Sequence, residues 1–155
     1  MQKIHSFDFE YDHDYTLIGI HSTLEDFRIA YFLNKSLSIH LNRHKEDLDF
    51  SLINCSFSLF NYEDEATFTS WSLIANKYVF VNNVSSTNDN LFEEETKTAF
   101  LISEKKQIDY FIKIIGNINQ KAVQNILLKI KNTHKIITSY TVDPYQLKSK
   151  DYLIF

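Results

Sequence analysis

Glycine occurs at only two of 155 positions, Gly19 and Gly116, and proline only at Pro144. Average usage would place roughly eleven glycines and eight prolines in a chain of this length. The scarcity is restrictive, because loops that cradle phosphates need several closely spaced glycines so that backbone N–H groups can approach the anion. A Walker loop, a dinucleotide-binding fingerprint and a nucleophile elbow are therefore excluded.

What remains is a globular α+β chain with an aromatic core. Apolar residues make up 44% and aromatics 15%, and a single domain spanning 1–155 can bury about 68–70% of its unfolded surface without a metal or disulfide. Cys55 is the only cysteine, so no intrachain disulfide can form; placed in an alternating apolar segment, it reads as a small buried hydrophobe. The first residues enter strand-like alternation with no apolar signal core, and no apolar run is long enough for a membrane span, so a cytoplasmic location is expected. A net charge of −4 disfavours nucleic acid and anionic membranes as partners. The basic clusters Lys105/Lys106, Lys129/Lys131 and Lys148/Lys150 read as solvated faces.

Segments 4–10 and 15–21 alternate as strands around an acidic turn at 11–14. Ser22-Thr23-Leu24-Glu25 then has the form of a capping box, with Ser22 as N-cap and Glu25 reaching back to it. Leu24, Phe27, Ala30, Tyr31 and Leu37, widened by Ile29, Phe32 and Leu33, predict a mostly buried helix ending near Lys35. A short strand is expected at 38–41. Segment 49–62 is the longest period-two stretch, with a change of phase between Leu52 and Ile53 that suggests a bulge. The acidic turn 63–65, a strand at 67–75, a hairpin turn at Asn76-Lys77 and a strand at 78–81 read as an antiparallel meander. Segment 82–96 is polar and reads as a loop. Strands follow at 99–102 and from Ile108 to a close at Gly116, with Ile108, Tyr110, Ile112 and Ile114 alternating. The second helix takes Asn119 as N-cap, Ile118 and Val123 as a hydrophobic staple, and Val123, Ile126, Leu127 and Ile130 as its stripe. A strand at 136–142 completes a strand–helix–strand unit over 108–142.

The resulting expectation is a largely antiparallel sheet of about seven strands with two helices on one face, the C-terminal unit resembling half of a ferredoxin-like arrangement.

Sites are harder to read. His40 and His44 have the spacing of a zinc-binding pair, but in a strand they stand some 13 Å apart and lack further ligands; no metal or other cofactor is expected. Asp8, Glu10, Asp12, His13 and Asp14 read as a solvated acidic hairpin without the calcium-loop pattern. His21, at a strand end beside a helix start with Glu25 and Asp26 nearby, is the best general acid/base candidate if the protein is an enzyme.

The segments LIGIHSTLEDFRIAYFLNK (17–35), FSLFNYEDE (57–65) and LKSKDYLIF (147–155) resemble the small bacterial IPExxxVDY family. Its signature maps onto ISEKKQIDY at 102–110, where Ile102, Glu104, Asp109 and Tyr110 match while Ser103 replaces the proline and Ile108 the valine. The resemblance implies a stand-alone cytosolic protein with no established activity and carries no catalytic residues across. Within the signature, Tyr110 is expected in the core with its hydroxyl bonded at the edge, and Asp109 either stabilises a turn or contacts another molecule. The function expected is a non-enzymatic interaction or regulatory module with a protein partner or as a homodimer. The alternatives are a small-molecule-binding regulatory domain and an enzyme using His21 with Glu25 or Asp26.

Overall fold

The computed structural model describes residues 12–50, 55–83 and 94–155. The strand-like segment 4–10, with Asp8 and Glu10, and the phase change at Leu52/Ile53 lie outside them. The described chain runs β1 (Thr16–Ser22), α1 (Asp26–Leu37), β2 (Asn42–Arg43), β3 (Leu48–Phe50), β4 (Cys55–Phe57), β5 (Leu59–Asp64), β6 (Thr69–Ala75), β7 (Lys77–Asn83), β8 (Glu94–Phe100), β9 (Tyr110–Ile115), α2 (Gln120–Lys131) and β10 (Ile136–Val142). The class is α+β. Six strands form one antiparallel sheet in the order β10-β1-β9-β6-β5-β2, and the pairs β3–β4 and β7–β8 form two separate hairpin sheets.

Strands β9 and β10 both pair antiparallel with β1, which lies between them. They are therefore parallel to each other and joined through α2, a split strand–helix–strand unit. Alternation assigns the two faces. Ile18, Ile20, Leu73, Tyr110, Ile112 and Ile114 join Ile29, Leu33, Val123, Leu127 and Ile130 of both helices in one core. Leu17, Ile74 and Phe111 point the other way, into a second core with Phe57, Leu101, Ile102, Ile108, Leu147 and Leu153. One face is thus sealed by helices and the other by small hairpins and the C-terminal tail.

Close approach explains both glycines. A Cβ on Gly19 would lie 2.5 Å from Ile108 Cδ1, so a larger residue would force the Ile108 side chain aside in the tail-side core. Gly116 has φ +129, and a Cβ there would meet the Phe68 carbonyl oxygen at 2.9 Å.

Several local expectations are corrected. Ser22 does not cap α1: it ends β1, its N–H is taken by Asp109 and its hydroxyl donates to the Lys135 carbonyl. Glu25 becomes the N-cap, without a side-chain capping bond. Helix α1 holds two competing apolar stripes, and the tertiary fold buries Ile29, Ala30 and Leu33 while leaving Phe27 and Tyr31 about 60% exposed. No strand forms at 38–41, because Asn34 captures both backbone groups of Leu41, accepting from its N–H and donating to its carbonyl. Leu48 pairs with Phe57 and Phe50 with Cys55, so the flanks of 49–62 are antiparallel partners and not one continuous strand.

The meander breaks at Asn76-Lys77, since β6 and β7 belong to different sheets. Part of the expected loop 82–96 is strand, with Asn82 opposite Glu95 and Asn83 opposite Glu94. The second helix matches its reading: Asn119 Oδ1 accepts from the Ala122 N–H at 2.8 Å.

Candidate functional site

Three strand ends converge where the signature loop enters β9. Asp109 stands just before β9, and all of its hydrogen-bonding groups are engaged. Its N–H donates to the Ile20 carbonyl, its carbonyl accepts from the Asn76 N–H, Oδ2 accepts from the Ser22 N–H at 2.9 Å, and Oδ1 pairs with Lys77 Nζ at 2.5 Å. One carboxylate thereby joins β1, β7 and β9. Tyr110, next in sequence, turns into the helix-side core and donates its hydroxyl to the Leu24 carbonyl at 2.7 Å. Burial, together with the negative charges of Asp26, Asp109 and Glu25, pushes its phenol well above the ordinary tyrosine range, so it acts as a neutral donor. Ile108 faces the opposite core, which corrects the expected alternation of Ile108 with Tyr110: the irregular residue Asp109 lies between them, and β9 begins only at Tyr110.

Glu104 faces the tail. Its two carboxylate oxygens accept from the Ser149 N–H and hydroxyl, each at 2.8 Å. Partial burial works against its charge, but the bonds from Ser149, with backbone support at Glu104 and Lys148, outweigh burial and hold its carboxyl below the ordinary value. The three signature side chains therefore knit the scaffold: Asp109 ties strand ends, Tyr110 holds the entry to α1, and Glu104 clamps the tail.

Asn76 completes this arrangement, although the sequence marks it only as a turn residue. It is fully buried; Oδ1 accepts from the Ile102 N–H at 2.8 Å, and Nδ2 donates to the carbonyls of Ile108 and Lys105. It substitutes for a strand partner along the signature loop. A lone Asn between two apolar strands is the available signal, but it is shared with ordinary turn residues.

A cavity of about 230 Å³ opens beside these groups, lined by Ser22, Thr23, Leu24, Ala75, Lys77, Asp109 and Tyr110. His21, Glu25 and Asp26 are not among its walls. His21 lies on the tail face of β1, where Nε2 meets the Tyr140 hydroxyl at 3.2 Å, whereas Glu25 and Asp26 begin α1 over the other face. The sheet itself separates residues that are neighbours in sequence. Asp26 accepts from the Phe27 N–H.

The remaining polar candidates have separate partners. His44 Nδ1 bonds at the Glu46 backbone, and His40 packs edge-on to Tyr62. Among the described residues no group of three or more His, Cys, Asp or Glu side chains could hold a metal ion. Cys55 is buried. Asp12 accepts from the Tyr145 hydroxyl at 2.6 Å and His13 is buried against Tyr15 and Tyr145, while the carboxylates of Asp12 and Asp14 stay exposed as the solvated reading expects.

Lys113 is a buried polar residue that sequence reasoning did not single out. Asn42, Asn61, Ser72 and Lys113 stand opposite one another across four strands, a polar row on the tail face. Lys113 is 1% exposed. Its Nζ donates to the Leu153 carbonyl at 2.6 Å and lies 4.9 and 4.3 Å from the ring centres of Tyr15 and Phe155. Burial pushes the amine below the ordinary lysine value.

No family model matches the chain, and neither a curated protein nor a solved structure matches it. Among the described residues no helix is long and apolar enough to cross a membrane.

Proposed function

We propose that this chain is a cytoplasmic, non-enzymatic interaction or regulatory module, and that its contact surface includes the outer flank of α1. The observation that carries this reading is the pair Phe27 and Tyr31, one turn apart on that helix and 60% and 61% exposed. Aromatic rings at this spacing form one continuous apolar strip, and aromatic side chains dominate protein–protein recognition. The signature carboxylates support it from the other direction, since Asp109 and Glu104 spend their hydrogen bonds inside the fold.

The test compares wild type with the Phe27→Ser/Tyr31→Ser variant as immobilised baits in native lysate, with captured proteins quantified by mass spectrometry. Loss of a reproducible partner by roughly tenfold or more, at unchanged melting temperature, is the expected result. Identical capture by both baits rejects the α1 surface.

The cavity beside Lys77 and Asp109 favours the second reading, a small-molecule-binding regulatory domain. Its 230 Å³ suits only a small polar ligand, and its walls include the Thr23 hydroxyl and the Lys77 ammonium. Thermal-shift screening with small polar metabolites tests it: stabilisation abolished by Lys77→Met supports a ligand site there, and no stabilisation by any compound removes the support.

A further inference from the structure

The two edges of the six-stranded sheet are built differently. Strand β2 is two residues long and carries Arg43, the short and charged form in which natural sheets guard their edges. Strand β10 is seven residues long without charge or proline, and among the described residues it pairs only with β1. Its register against β1 is unbroken from Thr138 to Val142 and skips at Ile137, so the regular edge is 138–142. The other side of β1 shows which main-chain groups that edge leaves open. The Asp109 N–H bonds the Ile20 carbonyl from the β9 side; in an antiparallel ladder Ile18 and Ile20 therefore face β9, and Leu17, Gly19 and His21 face β10. Their partners Val142, Tyr140 and Thr138 direct their main-chain groups at β1. Those of Ser139 and Thr141 point off the sheet, two residues apart, as a ladder for one more extended segment.

A cavity of about 450 Å³ adjoins this edge, lined by Tyr140, Thr141 and Val142 of the strand together with Leu147 of the tail and Lys105 of the signature loop. Val142 and Leu147 belong to the tail-side core and make part of the wall apolar. Two charged residues line the cavity. Asp143 has both carboxylate oxygens engaged, by the Tyr145 N–H and the Gln146 side-chain amide. Lys105 is half-buried; its carbonyl serves Asn76 and the Ile108 N–H, but its ammonium enters none of the ion pairs among the described residues. The carboxylate of neighbouring Glu104 is turned to Ser149 instead. An uncommitted cation thus stands beside uncommitted main-chain groups.

We propose that this edge and groove take an extended peptide segment of a partner protein, added beside β10 as a seventh strand, with an aspartate or glutamate side chain reaching Lys105. The main-chain groups of Ser139 and Thr141 recognise its backbone, Val142 and Leu147 an apolar side chain, and Lys105 its carboxylate. The length of open ladder selects a peptide over a free amino acid, and the lone ammonium selects an acidic one. The inference rests on the interaction-module reading but not on the α1 strip, so either surface can fail without the other.

Selection of a phage-displayed library of random linear peptides on the immobilised full chain should enrich sequences with β-branched or aromatic residues at alternate positions and one acidic residue. Fluorescence anisotropy with the leading peptide then measures each contact. Thr141→Pro removes an outward N–H at an edge position where proline is tolerated, and it should weaken binding by roughly tenfold or more. Methylating alternate amide nitrogens of the peptide should do the same without touching the protein. Lys105→Met, and replacement of the peptide's acidic residue by its amide, should each weaken binding about tenfold, and together no more than either alone. The Phe27→Ser/Tyr31→Ser variant should bind as wild type does. Failure to enrich any acidic extended sequence overturns the proposal, and so does a peptide that ignores both Thr141→Pro and Lys105→Met. Equal competition by free glutamate overturns it in favour of a small-molecule site, and self-association of the chain that the peptide cannot displace overturns it in favour of a second copy.

Discussion

The helix-covered face of the sheet and the tail-covered face bury comparable apolar cores, yet they are closed by different physics. On the first, two regular helices supply their own backbone hydrogen bonds and present aliphatic stripes, so sealing needs little beyond side-chain packing. On the second, hairpins and short 3-10 turns cover the sheet, and their backbones cannot satisfy themselves. Single side chains do it for them: Asn76 for the signature loop, Glu104 for Ser149, and Lys113 for the Leu153 carbonyl. Irregular cover over a sheet therefore concentrates stability in a few polar residues, whereas helical cover spreads it over many apolar ones.

Asn76→Ala is the strongest challenge to that contrast. It strands the Ile102 N–H and the Ile108 and Lys105 carbonyls around a fully buried position, and a loss of about 3 kcal/mol or more is expected. Chemical denaturation measures it, and a loss under about 1 kcal/mol would show that water or a shifted loop replaces the side chain and that the contrast is overdrawn.

Glu104 sharpens the comparison through pH. Its carboxyl is held below the ordinary 4.5 in the folded protein, so its contribution is fully present above 4.5 and is lost as pH falls through the lowered folded value. Amide exchange around Ser149 and Leu153 should accelerate in that acid window while α1 stays protected. Glu104→Gln should bring a faster tail, by about 1–2 kcal/mol of opening energy, to neutral pH. Equal acceleration of tail and helix would mean that the two faces open as one unit.

Tyr110→Phe removes a polar tie on the helix side, between Tyr110 and the Leu24 carbonyl. A loss of about 1 kcal/mol is expected, the smallest of the three, because packing against Ile112 and Ile114 survives. A loss as large as that of Asn76→Ala would erase the distinction between the faces.

The elements legible in the sequence are those whose signal is local. Helix α2, with its Asn119 cap and its stripe of Val123, Leu127 and Ile130, follows from residues within two turns of one another, and so does the alternation that gives β1 and β9. The α+β class follows from the sum of such segments. What the chain alone left open was every choice between two locally equivalent options. Phe27 and Tyr31 are as good a helical stripe as Ile29 and Leu33, and only the sheet beneath α1 decides which is buried. Ser22 has the chemistry of an N-cap, but Asp109, 87 residues away, captures its N–H and keeps it in the strand. His21 and Glu25 are near in sequence and lie over opposite faces, because His21 points to the tail face of β1 while the chain turns after Ser22 to start α1 over the other. Lys113 is buried only because the tail brings the Leu153 carbonyl and the Phe155 ring over its amine. Local propensity and periodicity act within a few residues, while the partners that settle these cases arrive from distant strands, so the sequence determined the elements with a strong local signal, and the tertiary structure decided the remaining elements, their pairing, and which faces and polar groups are used.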